Sequence, residues 1–162
     1  MTRTLSPPLT DLTPALGGAE ANPIRIGFAD KNPLVLRGLQ SLFGEDRRFE
    51  LVVSASDGER FLDAVARFEF DVGIIGWVMV NGDGRAVLEA LKHRASAGAP
   101  RIVVYTGADL GVARTAMQLG AAGFLSKSEP PERLLDVVAE VARGRMMFPF
   151  LDLGRAAATD PA

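Results

Sequence analysis

Cysteine is absent from the 162-residue chain, and histidine occurs once, as His93. Without cysteine there is no disulfide, thiolate metal site or cysteine nucleophile, and a single histidine excludes any site built on a histidine pair. Lysine is scarce as well, because only three of the 18 basic residues are lysine, namely Lys31, Lys92 and Lys127. Each lysine therefore stands out in a chain that otherwise uses arginine.

A strong positive charge and a long apolar run are also missing. The formal net charge is −2, so the chain lacks the basic footprint of a nucleic-acid-binding protein. No apolar run approaches the length that spans a bilayer, and prolines interrupt the N-terminal stretch where a signal peptide would need an apolar core. We therefore expect a cytoplasmic protein that binds neither nucleic acid nor membrane directly.

The chain length suits one domain with tails. Residues 1–22 contain three prolines and two adjacent glycines without an apolar period, and we expect them to form a flexible tail. Residues 149–162 are expected to form a second tail. This leaves one folded domain over residues 23–148.

Short apolar runs alternate with amphipathic stretches inside this domain. Five runs are predicted strands: 24–29, 51–55, 71–76, 101–106 and 122–126. A stretch with helical spacing follows each run, so the pattern predicts an α/β fold with a parallel sheet and helices on both faces. A helical bundle is the alternative, but the Val/Ile-rich runs are too short for helices and turn residues bracket them.

Several predicted helices carry a signal at one end. Ser56 and Glu59 have the spacing of a capping box before the second helix. Ser128 is predicted to cap the last helix, with Pro131 in its first turn, and Gly144 is predicted to end that helix.

The carboxyl ends of parallel strands meet at one edge, where such folds place their functional crevice. An acid, a hydroxyl and two of the three lysines are expected to converge there. The residues that follow the predicted strands are Asp30 with Lys31, Ser56, Gly76 with Trp77, Thr106, and Lys127 with Ser128.

Three stretches resemble the receiver domain of bacterial two-component response regulators, in the branch that usually precedes a helix-turn-helix domain. They are IRIGFADKNPLVLRGL at 24–39, VVYTG at 103–107 and GAAGFLSK at 120–127. The resemblance covers about residues 24–148. It implies a flavodoxin-like three-layer sandwich with a five-stranded parallel sheet in the order 2-1-3-4-5.

In that family an acid pair holds Mg²⁺, an aspartate at the end of the third strand accepts a phosphoryl group, and a hydroxyl and a lysine bind its oxygens. By this resemblance Asp30 matches the first acid, Lys31 replaces the second, and Gly76 stands at the acceptor position. Thr106 and Lys127 match the switch hydroxyl and the lysine. The switch aromatic position is occupied by Phe124.

Glycine has no side chain to phosphorylate, and the metal site has gained a cation. The resemblance therefore implies a degenerate receiver that keeps the fold without the reaction, with no enzymatic activity, metal or cofactor. The nearest later carboxylate, Asp83, is expected to be a turn residue or N-cap rather than a substitute acceptor.

The crevice residues leave several interpretations open. We expect Asp30 to contact Lys127, while Lys31 is either a solvated cation or a replacement for part of the metal's charge. Thr106 either caps a turn or acts as a switch, and Trp77 either packs or fills the phosphoryl space. We expect His93 to lie on a solvated helix face.

Three functions remain possible at this stage. The first is a phosphorylation-independent signalling module that binds a kinase, another regulator or itself as a homodimer. The second is a small-anion or metabolite sensor that uses Lys31, Thr106 and Lys127. The third is the receiver half of a transcription factor whose DNA-binding domain lies outside this chain.

Overall fold

A computed structural model describes residues 22–94, 98–107 and 110–149. Five strands alternate with five helices, as the sequence predicts. The strands are β1 (Ile24–Ala29), β2 (Phe49–Ala55), β3 (Val72–Ile75), β4 (Arg101–Thr106) and β5 (Gly123–Ser126). The helices are α1 (Pro33–Gly44), α2 (Gly58–Arg67), α3 (Gly84–Arg94), α4 (Leu110–Gln118) and α5 (Arg133–Ala142).

All strand pairs are parallel, and the sheet order is β2-β1-β3-β4-β5. This confirms the predicted order. The central strand β3 is buried at all four positions, as expected for a strand covered on both faces. The register between β1 and β2 shifts between Ile26 and Gly27, because Val52 of the outer strand β2 is left without a partner in β1.

Each face of the sheet carries its own apolar core. Helices α1 and α5 cover one face, where Phe28 and Phe43 pack with their ring centroids 5.5 Å apart. Helices α2, α3 and α4 cover the other face around Phe61, which contacts Phe70 edge to face. The two layers hold the loops at the carboxyl ends of the strands in place, and the crevice lies among these loops.

Two predicted helix caps are wrong. Asp57, not Ser56, caps α2, because its carboxylate accepts the Arg60 N–H at 2.8 Å. Helix α5 begins at Arg133, after Pro131, and has no side-chain cap. Ser128 instead shares a 2.7 Å hydrogen bond with Ser126. The predicted end at Gly144 is confirmed, since this glycine has φ +96° and its N–H donates to Val141.

The predicted tails fall almost wholly outside the described residues, which begin at residue 22 and end at residue 149. Within the described ranges, no helix is both long and apolar enough to span a bilayer.

Candidate functional site

The crevice at the carboxyl edge contains an ion pair whose acid is buried and whose lysine is partly exposed. Asp30 directly follows β1, and its side chain is 3% exposed. Its Oδ2 accepts a hydrogen bond from Lys127 Nζ at 2.8 Å, and its Oδ1 accepts the Asn32 N–H at 2.9 Å. The predicted contact between Asp30 and Lys127 is thus confirmed, and it joins the ends of β1 and β5 across the edge of the sheet.

Gly76 lies directly beside this pair. Its N–H donates to the Ala29 carbonyl at 2.9 Å, which keeps the end of β3 in register with β1. A Cβ atom at Gly76 would point toward the carboxylate of Asp30 and lie 3.0 Å from Oδ2. The φ of Gly76 is not positive, so the backbone does not require glycine here. The carboxylate of Asp30 occupies the room that a larger side chain would need.

Lys127 has a second neighbour that sequence analysis missed. Its ammonium lies 5.8 Å from the centre of the Tyr105 ring, within the range of a cation–π contact. Tyr105 is buried, and burial raises the pKa of its phenol, with smaller contributions from Asp30 and Glu132. One signal was available, because Tyr105 is the only tyrosine in the chain and immediately precedes Thr106 at the end of β4.

The other predicted crevice residues differ in their placement. Thr106 is buried at the end of β4, and its carbonyl accepts the Lys127 N–H at 2.9 Å. Phe124 on β5 is buried in the apolar core on the face covered by α2, α3 and α4.

Lys31 is exposed, and no hydrogen bond or ion pair joins it to any residue that the structure describes. The solvated-cation interpretation of Lys31 is therefore favoured over a replacement for the metal's charge inside the crevice.

The loop between β3 and α3 borders the crevice on the other side. Trp77 is half-buried against the core under α2, α3 and α4, which favours its packing interpretation. Asp83 caps α3 by accepting the Ala86 N–H at 2.9 Å, as expected. His93 is exposed in the last turn of α3, so its predicted solvated position is also confirmed.

A second set of contacts fastens this loop to α2, and the sequence analysis did not anticipate it. The Asn81 carbonyl accepts the Glu59 N–H at 2.8 Å, and the Asn81 amide donates to Asp57 Oδ2 at 3.4 Å. Asn81 has φ +51° and Gly82 has φ +96°. The Asn-Gly pair signals such a turn, but the sequence does not show that the turn contacts α2.

Asp57 links the cap of α2 to this loop, and its titration gives a testable pH effect. The Arg60 backbone N–H and, to a lesser extent, the Asn81 amide hold the pKa of Asp57 below its ordinary value. The resulting stabilisation is present above the ordinary Asp pKa and is lost as pH falls through the lowered pKa. Asp57→Asn keeps a capping side chain but cannot titrate.

We therefore expect the urea midpoint of wild type to fall more steeply than that of Asp57→Asn between about pH 5 and about pH 2. Asp63→Asn on the exposed side of α2 is the control and should follow wild type. Parallel curves for wild type and Asp57→Asn would contradict the assignment.

No group of three or more His, Asp or Glu side chains that could hold a metal ion occurs in the described part of the chain. Among the described residues that end the strands at this edge, Asp30 is the carboxylate that faces the crevice, and it already binds Lys127. The crevice therefore holds one carboxylate paired with an ammonium. The resemblance to receiver domains would place two metal-binding acids and a phosphoryl-accepting aspartate there.

Comparison with known proteins gives a consistent result. The family model described as the response regulator receiver domain matches residues 26–139. The chain is 37% identical over 134 residues to the "Probable transcriptional regulatory protein SgaR" of Hyphomicrobium methylovorum, covering 82% of this chain and 63% of that protein. It is 32% identical to the nitrate/nitrite response regulator NarP of Escherichia coli, covering 80% and 60%. The chain thus spans about three fifths of these relatives.

Solved structures show the same fold. A signal receiver domain of NarL from Mycobacterium tuberculosis superposes with a TM-score of 0.71 at 26% identity, covering 76% of this chain and 98% of that one. A LuxR-family response regulator from Aurantimonas gives a TM-score of 0.74 at 22% identity, covering 86% and 99%. The predicted flavodoxin-like architecture is confirmed.

Proposed function

Because this chain belongs to the response regulator receiver domain family, we propose that it is a signalling module that acts through protein contacts and is not phosphorylated. The family consists of signalling domains rather than enzymes. The observation that carries the proposal is Gly76, which follows β3 where the family's acceptor is expected and whose missing side chain would face Asp30. A glycine provides no oxygen nucleophile for phosphoryl transfer.

The charges around Gly76 support the same proposal. A phosphoryl-transfer site needs a cation to neutralise charge that develops on the transferred group. Here the ammonium of Lys127 is already engaged with Asp30 at 2.8 Å, and Lys31 replaces the second acid that would bind Mg²⁺. The ammonium of Lys127 therefore compensates the negative charge of Asp30 without a metal ion. In this arrangement Lys127 is not free to bind the oxygens of a phosphoryl group.

The anion-sensor hypothesis receives less support from the same contacts. It requires Lys31 and Lys127 to present free charges to one pocket. Lys127 is bound to Asp30 and Lys31 is exposed, so an anion would have to compete with an existing ion pair.

A role in transcriptional regulation is the second candidate function. It is favoured by one observation, that relatives covering most of this chain are named transcriptional or response regulators and are longer than the matched region. Under this second hypothesis the domain would act in the cytoplasm by contacting a kinase, another regulator or a second copy of this chain. Pull-down with the intact chain, followed by mass spectrometry, tests which class of protein it binds.

The phosphorylation proposal has a direct test. Incubation of wild type with acetyl phosphate and Mg²⁺ should leave its intact mass unchanged, because neither the nucleophile nor the second metal ligand is present. A receiver domain that carries its acceptor aspartate serves as the reagent control and should gain one phosphoryl group. A gain on this chain, mapped to Asp30 or Asp83 by peptide analysis, would show that another carboxylate has taken over and that the proposal is wrong.

A further inference from the structure

The chain does not leave the domain at the end of α5 but turns back along the edge of the sheet. Gly144, with φ +96°, reverses the chain after α5. The next five residues, 145–149, form a segment that we name the strap. Arg145 anchors its start through a 2.6 Å ion pair with Glu140 on α5.

The backbone of the strap pairs with β5 through a single isolated β-bridge at Met147. The Met147 N–H donates to the Ala122 carbonyl at 2.9 Å, and the Phe124 N–H donates to the Met147 carbonyl at 2.8 Å. The bridge between Gly123 and Met147 is parallel. Since β5 is the last strand of the sheet, the strap pairs part of an edge that would otherwise present unpaired backbone groups.

Side chains of the strap reach both layers of the fold. Met147 packs on the side of α5, whereas Phe148 is buried in the other core, to which Phe124 and the small residues of α4 belong. This alternation is the side-chain pattern of a strand.

Glycine at position 123 is what lets the strap approach. A Cβ atom there would lie 3.1 Å from the Met147 carbonyl and 3.2 Å from a methyl group of Val141. A Cβ atom at this position would therefore require the strap or Val141 to shift by a few tenths of an ångström.

We infer that the strap, rather than the crevice, sets the conformation of the β5 edge that carries Phe124. The two ends of β5 are held separately: Lys127 is bound to Asp30, and the backbone of Phe124 is bound to Met147. Phe148 also belongs to the apolar core that buries Phe124, so the two side chains share one packed environment. Whatever the carboxyl edge binds, the position of Phe124 then depends on a docked strap.

Amide hydrogen exchange and the NMR signals of the Phe124 ring, from ¹³C-labelled phenylalanine, test this inference in the 162-residue chain. In Phe148→Ala the amides of Phe124 and Met147 should exchange at least about tenfold faster than in wild type, and the ring signal of Phe124 should shift. In Lys127→Met the exchange rates of the same two amides should stay within about twofold of wild type, under conditions where the core amide of Ile74 exchanges much more slowly and the rates therefore report local opening.

Two further variants separate the strap from general loss of stability. Gly123→Ala crowds the strap without removing apolar surface, and it should accelerate the same two amides. Met146→Ala changes an exposed strap residue and should behave as wild type. The Ile74 amide in β3 reports global unfolding, so the rates of Phe124 and Met147 are compared only under conditions where Ile74 exchanges much more slowly than they do.

Two results would overturn the inference. One is a Phe124 amide and ring signal that stay as in wild type in both Phe148→Ala and Gly123→Ala, because then the strap does not hold the edge. The other is a Lys127→Met variant that changes Phe124 as much as Phe148→Ala does, because then the crevice controls it.

Discussion

Gly58→Ala is expected to destabilise the protein by about 3 kcal/mol, although alanine is normally the better residue in a helix. A Cβ atom at Gly58 would lie 2.0 Å from the Gly82 carbonyl oxygen and 2.9 Å from a methyl group of Val87. The carbonyl belongs to backbone that Asn81 already ties to α2, so it cannot move without breaking that attachment. Urea denaturation at neutral pH measures the loss.

Gly38→Ala in α1 is the matched control, because nothing lies within 4 Å of its Cβ position. In that open helical site the same substitution should stabilise the fold by about 0.5–1 kcal/mol through reduced backbone entropy of the unfolded chain. Changes of the same sign and size in both variants would mean that the loop between β3 and α3 yields freely and is not fastened to α2.

Asp30→Ala is expected to destabilise the protein by about 2–3 kcal/mol. Removing one member of a buried ion pair leaves an uncompensated charge, which costs roughly 3–5 kcal/mol when both groups are fully buried. The Lys127 side chain is 31% exposed, so water can solvate part of the remaining charge and the loss is smaller. The variant also removes the acceptor of the Asn32 N–H, which starts the turn into α1.

The double-mutant cycle with Lys127→Met isolates the pair. Because Lys127→Met leaves Asp30 buried without its cation, each single variant should be clearly destabilised, while the double variant should cost less than the sum of the two. Asp63→Ala, which removes an exposed partner of Arg67 on α2, is the control and should change stability by at most about 0.5 kcal/mol.

Sulfate distinguishes a lost ion pair from lost packing. At matched ionic strength, sulfate should raise the denaturation midpoint of Asp30→Ala more than that of wild type, because an anion can bind the ammonium that Asp30 has released. Strictly additive single variants together with equal sulfate effects would show that Lys127 gains nothing from Asp30.

The parallel sheet was predictable from the local sequence pattern for a physical reason, whereas the strand order and the pairing of Asp30 with Lys127 followed from the resemblance to receiver domains. Buried parallel strands are short, apolar and bounded by turn residues, so β3 and β4 could be located without knowledge of their neighbours. Parallel strands also place their carboxyl ends at one edge of the sheet, so the acid after β1 and the lysine after β5 lie at the same edge. The long lysine side chain then reaches Asp30 past the two strands that lie between them. For β3 and β4, the local apolar pattern and the position of each strand in the sheet agree.

The details that failed depend on competition between neighbouring groups. Ser56 and Asp57 are both good caps, and only the backbone path decides which side chain reaches the Arg60 N–H. Lys31 is adjacent to Asp30 in sequence, yet consecutive residues at a strand end point in different directions, and Lys31 is exposed while Asp30 is buried. Contacts between separate loops, such as Asn81 with Asp57, leave no periodic signal in the chain.

Two aromatic residues that border the crevice, Trp77 and Tyr105, are each the only residue of their type in the chain. They therefore serve as intrinsic spectroscopic probes of the crevice. Trp77 is the only tryptophan and directly follows Gly76, and Tyr105 is the only tyrosine and faces Lys127. Tryptophan fluorescence therefore reports only on the loop between β3 and α3. Changes in tyrosine absorbance report only on the surroundings of the ion pair between Asp30 and Lys127. Because the pKa of Tyr105 is raised, its ultraviolet spectrum remains that of the neutral phenol through moderately alkaline pH. Ligands or partners that reach either side of the crevice can be followed spectroscopically without any label.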